Sequence, residues 1–321
     1  MKNIYIANFY IKKVVIYLLL ASSIFIPGII ALHNVDQPVG ADDLFMQLAA
    51  ETLFANGSAY FIFPEFQAKS EPLSYNGIFH YTMSDSVLPK YDHHLYMYIL
   101  LLLFVFFMFG VSPAASRLVG VGSGLLSIVL IYVVLRIYIK GSRERKMFLA
   151  AIAALAYGIM PLFINTMSII DIDTSILLPL CIMMVWAVVS FLKSGKMSCL
   201  LGIIISTTLM FWARLSIPSL VIFGILLSLI FVNSSVRDKC RVLMAIALGI
   251  MLFIVTWFLY CRVNQINFFG PFTYTFIDRD RAIDYQFFKG LVFNFVWFGM
   301  WLGIFFLRSY KHGGLFYYQA I

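Results

Sequence analysis

Polar positions in this chain fall in a few short clusters, and long stretches with almost no charge run between them. A helix that crosses a bilayer needs about 20 predominantly apolar residues. Runs of roughly that length lie near residues 14 to 32, 116 to 138, 148 to 167, 174 to 192, 197 to 213, 216 to 232, 242 to 260 and 290 to 307, and each is read as a membrane span. Lys12 and Lys13 flank the first, but Pro27 and the lack of a small-residue cleavage site mark it as a retained helix rather than a signal peptide. After it, Leu44, Phe45, Leu48, Ala49 and Leu53 form a stripe, and Asn56-Gly57 supplies a stop, so Asp42 to Ala55 reads as a short amphipathic helix. From Ser58 to Asp92 the periodicity lapses, and Pro64, Pro72, Gly77 and Pro89 punctuate an irregular loop.

One further apolar run, Leu95 to Phe109, decides the topology, because counting it as a span inverts everything that follows. If it does not cross and the N-terminus is cytoplasmic, 15 of the 23 basic residues lie inside, including the cluster RIYIKGSRERK. If it crosses, nine remain inside and that cluster is thrown outward. The positive-inside rule favours the first arrangement, so residues 95 to 109 are expected to form a juxtamembrane or re-entrant helix buried in protein. On that topology 13 of the 15 carboxylates face the outer compartment.

Composition agrees with this pattern. Sixty-two per cent apolar and twelve per cent charged residues, with a mean hydropathy of +0.92, exclude an ordinary soluble domain. The expected fold class is all-α, a polytopic helical membrane protein with about eight spans and outer juxtamembrane helices. Residues 1 to 321 are read as one integral membrane domain, with a first outer loop over 33 to 115 and a later one over 261 to 289. The net charge of +8 is then mainly an insertion signal on inner loops, and no nucleic-acid partner is implied. The four cysteines show neither a disulfide framework nor a metal spacing.

The candidate chemistry lies in the outer segments. Asp42 and Asp43 open the amphipathic helix, where a carboxylate caps backbone N–H groups and complements the positive helix end. A carboxylate at that boundary can equally act as a general base or a metal ligand, and the two roles are compatible. Asp171 and Asp173 lie in SIIDIDT, a short turn between two apolar helices, where loose charge is costly and ionisable groups are usually functional. Asp92-His93-His94 opens the 95 to 109 helix; adjacent histidines do not share a helix face, so one of them, or Asp92, is expected to bond a phosphate or a sugar hydroxyl. Arg117, Arg214, Arg262, Arg279 and Arg281 are candidate phosphate ligands, since the guanidinium fork matches phosphate oxygens. Each also reads as an interfacial anchor.

The order of these segments resembles a family. ADDLFMQLAAETLFANG, then HHLYMYILL, then FGVSPAASRLVGVGSGLLSIVLIYVVLR, then SIIDIDTSILLPL are similar in order and spacing to the GT-C fold glycosyltransferases that use polyprenyl- or dolichyl-phosphate sugars, the class of protein O-mannosyltransferases and bacterial aminoarabinose transferases. The likeness runs over roughly residues 14 to 232. The acid pair is Asp-Asp where that family commonly has Asp-Glu, and Leu95 follows His94 where prolines are expected.

The resemblance implies transfer of a sugar, with inversion, from a polyprenyl-phosphate donor to a lipid, glycan or protein hydroxyl at the outer face of a bacterial inner membrane. Asp42, Asp43 and Asp173 would be catalytic, and Asp171, His93, His94, Arg262, Arg279 and Arg281 would bind substrate. No cofactor is required, although Asp42 and Asp173 could hold a divalent cation, Mg2+ or Mn2+. Membrane lipid is the surrounding partner. The competing reading is a flippase or polymerase of lipid-linked polysaccharide. A flippase would place ionisable residues at mid-membrane, often in paired halves, whereas here the carboxylates cluster outside and no repeat is visible.

Overall fold

A computed structural model describes residues 2–33, 41–57, 95–167 and 176–273. Among these there is no strand. The helices are α1 (Lys2–His33), α2 (Ala41–Asn56), α3 (Met97–Phe109), α4 (Pro113–Tyr138), α5 (Arg143–Gly158), α6 (Pro161–Met167), α7 (Leu177–Ser194), α8 (Met197–Ala213), α9 (Ser216–Phe231), α10 (Val236–Asn264) and the single turn α11 (Gly270–Thr273).

Local chemistry sets many of the ends. Ser112, Ser142 and Ser235 each accept a hydrogen bond from the backbone N–H three residues on, at 3.1, 3.3 and 3.1 Å, opening α4, α5 and α10. Pro113 follows the first of these caps, at a position whose N–H has no helical partner to lose. Gly57 (φ +70°) and Gly195 (φ +64°) end α2 and α7 in the left-handed region that favours glycine. The expected span over 148 to 167 is two helices, α5 and α6, with Ile159 and Met160 between them. Pro161 explains the division, because it cannot donate to the preceding turn and opens a new helix instead.

Among the described residues four helices are long and apolar enough to cross a membrane: Lys13–His33, Ala114–Tyr138, Leu177–Ser194 and Val236–Asn264. Three shorter apolar helices accompany them, Met97–Phe109, Met197–Ala213 and Ile217–Phe231. Leu18, Phe25, Phe107, Ile230 and Phe231 are among many large apolar side chains on the outside of the bundle, far more than a water-facing surface carries. The chain is a multi-pass helical membrane protein. The expected span at 290 to 307 lies outside the described residues.

Side-chain contacts give the helix directions. Thr207 meets Met184 at 3.9 Å, and a Cβ on Gly202 would sit 3.3 Å from that of Ala187, so α7 and α8 are antiparallel. Thr208 bonds Gly249 and Trp212 bonds Thr256, so α8 and α10 run the same way. The Tyr138 and Ser190 hydroxyls are 3.3 Å apart at the C-terminal ends of α4 and α7, so these two also share a direction. The start of α4 therefore lies at the same end of the bundle as the ends of α8 and α10. Tyr96, just before α3, packs at a tilt against Trp257 and Tyr260 near the end of α10, with ring centroids 6.0 and 5.1 Å apart. Hence α3 starts at the end of the bundle from which α4 departs. Its 13 residues rise only about 20 Å.

The bundle has a basic end and an aromatic end. Lys140, Arg143, Arg145 and Lys146 at the α4–α5 turn, Lys193 and Lys196 at the α7–α8 turn, and Arg237, Lys239 and Arg241 at the start of α10 share the basic end, which the positive-inside rule assigns to the cytoplasm. Among the described residues two apolar cores form. The larger joins α2, α3, α4, α7, α8, α9 and α10, and the smaller joins α1, α4, α5 and α6.

Candidate functional site at the aromatic end

The acid pair occupies the first turn of α2, as the amphipathic pattern requires, and the helix stops at Asn56 as expected. The side chains of Asp42 and Asp43 lie outside the described ones. What holds the helix is visible. Met46, Leu48, Ala49 and Ala50 are buried, the helix packs against α3, and Phe54 meets Phe106 edge-on with centroids 6.5 Å apart. The partner face on α3 is Tyr98, Ile99, Leu102 and Phe106, all fully buried.

Two polar residues on this helix carry a signal that sequence reading missed. Gln47 is 6% exposed and donates from Nε2 to Oε1 of Glu51 at 2.8 Å. Asp43, Gln47 and Glu51 are spaced four apart, one above another on a helix face. That spacing was readable, but Glu51 counted only as one more outer carboxylate. Burial is the main influence on the Glu51 carboxyl and pushes it above the ordinary carboxylic acid range, against the opposing pull of the Gln47 amide.

Behind α3 the aromatic end is tightly built. Trp212 meets Trp257 and Tyr260 edge-on at 5.5 Å each, and Trp257 stacks on Tyr260 at 5.9 Å. Both indole N–H groups are engaged, Trp212 with Thr256 Oγ1 at 2.8 Å and Trp257 with the Phe268 carbonyl at 3.1 Å. The cluster ties the ends of α8 and α10 to the start of α3, immediately after His93 and His94. With Tyr96 and Trp257 fully buried, it is a packed support and not an open sugar platform.

The candidate arginines divide. Arg117 is 3% exposed in the second turn of α4, a cation held inside the protein near the aromatic end. Arg214 is half-buried between α8 and α9. Arg262 is exposed in the last turn of α10, with its guanidinium 5.8 Å from the centroid of the Phe258 ring. His93, His94, Asp171, Asp173, Arg279 and Arg281 lie outside the described residues. Leu95 and Tyr96 after the histidines, Ile176 and Leu177 after the aspartates, and Met46, Ala49 and Ala50 after the acid pair all belong to the larger core. Among the described residues no three His, Cys, Asp or Glu side chains form a metal-binding group, and the four cysteines are free thiols.

The fold is similar to that in the crystal structure of ArnT from Cupriavidus metallidurans in the apo state, with a TM-score of 0.53 at 14% identity. The alignment covers 79% of this chain and 43% of that one, so the chain spans less than half the length of the structure it matches. No curated protein matches the sequence. A model of the dolichyl-phosphate-mannose-protein mannosyltransferase family matches residues 93–258; the match takes in α3 through most of α10 and leaves α2 outside it. That match spans more than half of the chain, and the helical fold is of the GT-C type, so the chain belongs to the dolichyl-phosphate-mannose-protein mannosyltransferase family.

Proposed function

We propose that the chain is a membrane glycosyltransferase that moves a sugar from a polyprenyl-phosphate donor to an acceptor hydroxyl at the outer face of a bacterial inner membrane. The observation that carries this reading is the position of α2. Its first turn bears Asp42 and Asp43, its apolar face is buried against α3, and α3 begins at the end opposite the basic turns. A rigid helix at a membrane boundary is a suitable mount for a carboxylate that must act in a water-poor setting.

In the proposed reaction Asp42 takes the proton of the acceptor hydroxyl as its oxygen bonds to the anomeric carbon. The bond from that carbon to the lipid phosphate oxygen breaks, and the phosphate leaves from the opposite face with inversion. Asp43 assists Asp42. Asp173, with Asp171, orients the sugar, and His93 or His94 bonds a hydroxyl or a phosphate oxygen. Arg262, Arg279 and Arg281 offset the charge that develops on the departing phosphate, the kind of stabilisation worth most where water is excluded. If Mg2+ or Mn2+ takes part, Asp42 and Asp173 would hold it, and none of these steps requires it.

The test is Asp42→Asn in purified full-length chain supplied with polyprenyl-phosphate mannose labelled in the sugar, using membranes from cells lacking the chain as the acceptor source. Loss of a general base lowers turnover by roughly 10²- to 10⁴-fold. Undiminished transfer would remove Asp42 from the mechanism.

A further inference from the structure

We propose that Glu51 and Gln47 form a protonated carboxyl–amide pair that positions α2, and through it the turn carrying Asp42 and Asp43. The geometry begins with an imbalance. Gln47 gives one amide hydrogen to Glu51 Oε1 at 2.8 Å, while its own Oε1 is buried with no hydrogen-bond partner among the described residues. A buried acceptor left without a donor is costly, and an ionised carboxylate has only acceptors to offer it. A protonated Glu51 changes this, because its O–H can donate to the Gln47 carbonyl while its own carbonyl keeps the amide hydrogen. Both groups are then satisfied by one another, as the four-residue spacing on the helix allows.

The surroundings favour the neutral acid. No lysine or arginine occurs in α2, and its other carboxylates are Asp42 and Asp43. Helix α3, packed against it, has no charged residue, and its titratable groups are Tyr98 and, just before its start, Tyr96. Helix α4, packed on α3, contributes Arg117. Among the described residues Glu51 has no ion pair, and burial raises its pKa. A carboxyl whose folded pKa lies above its unfolded value near 4.3 binds its proton more tightly when folded. Stability from this source is complete below the unfolded pKa, falls as pH rises towards the folded pKa, and is level beyond it.

Protonation of the pair is a property of the helix and stands apart from the reaction; its effect on sugar transfer rests on the function proposed above. The experiment compares wild type, Glu51→Gln and Glu51→Ala in lipid nanodiscs. Glu51→Gln reproduces the donor and acceptor pattern of the protonated acid, whereas Glu51→Ala removes it. Infrared spectra of the wild type recorded as pH is lowered are expected to show a carboxylic acid band that Glu51→Gln lacks and that persists to higher pH than the band of an ordinary carboxyl group. The fall in thermal stability with rising pH is expected to flatten in Glu51→Gln, which matches or exceeds the wild type at neutral pH, while Glu51→Ala is weaker throughout. Transfer at neutral pH is expected to persist in Glu51→Gln and to fall about fivefold in Glu51→Ala, the scale of one neutral hydrogen bond. A wild-type Glu51 band that is lost at the same pH as that of an ordinary carboxyl group, or a Glu51→Gln protein with the wild-type pH slope, overturns the proposal. If none of the three proteins transfers sugar, the proposed reaction fails, and the spectra and stability curves still decide the pair.

Discussion

Two kinds of helix contact hold this bundle, and they sit in different places. Where α5 meets α1, and where α10 meets α8 at mid-length, backbones approach so closely that only glycine fits. A Cβ on Gly158 would lie 2.8 Å from the Ser23 carbonyl oxygen, and one on Gly249 would lie 2.8 Å from the Ile204 carbonyl oxygen and 2.7 Å from the Thr207 Cβ. At the aromatic end the same α8 and α10 are held by Trp212, Trp257 and Tyr260, with both indole N–H groups bonded. In lipid, tails are as apolar as leucine, so close packing and interhelical hydrogen bonds replace the hydrophobic drive between helices. Glycine contacts fix the distance between two helices. The aromatic contacts fix the relation of three, since Tyr96 brings in α3, and α3 in turn carries α2. The part of the molecule that mounts the candidate chemistry is the part built from large, directional side chains.

The largest expected effect concerns which end faces which compartment, and it is all or none. Cys240 is exposed near the start of α10, and Val263 is exposed near its close. In intact cells Cys240 should resist an impermeant thiol reagent and react only after permeabilisation, whereas Val263→Cys in a Cys240→Ser background should react at once. The reverse pattern would invert the topology and put the acid pair in the cytoplasm. Next in size is Trp257→Ala, expected to cost about 3 to 5 kcal/mol in detergent unfolding, as truncating a buried tryptophan does, and to lower sugar transfer as well because α3 loses its anchor. Gly158→Val should cost less, about 1 to 3 kcal/mol for an overpacked contact, and should leave transfer per folded molecule close to wild type. Equal loss of transfer in both variants would mean that the two regions are not separable.

How much of this was readable beforehand differs in the same way between the regions. Most described helices follow the apolar runs because runs of this length have few alternatives, and Asn56-Gly57 marks the end of α2 as read. The non-crossing of residues 95 to 109 is an expectation from the charge balance, and the contact of Tyr96 with Trp257 and Tyr260 is compatible with it. The break at Pro161 passed unnoticed, since the run on both sides is equally apolar and hydropathy does not register a missing N–H. Gln47 and Glu51 were missed because a polar residue on an amphipathic helix reads as solvent-facing, and only packing on α3 turns that face inward. Asp171, Asp173, His93 and His94 lie in stretches of sequence without periodicity, where spacing along the chain says little about direction in space, and these positions are outside the described residues.

The smallest expected effect tests whether mid-length contact between α8 and α10 is a matter of distance or of hydrogen bonding. Thr208 Oγ1 lies 2.9 Å from the Ile204 carbonyl in its own helix and 3.0 Å from the Gly249 carbonyl across the interface. A single hydroxyl hydrogen serves one of these well at a time, so removing it leaves the Ile204 carbonyl its normal helical partner and takes one weak tie from Gly249. Thr208→Val keeps the side-chain shape and should cost about 0.6 kcal/mol, the average for an interhelical hydrogen bond in a membrane, well below the cost expected for Gly249→Val on the opposite face of the same contact. A loss from Thr208→Val as large as that from Gly249→Val would show that this hydrogen bond, and not the closeness of the two backbones, sets the pairing of α8 with α10.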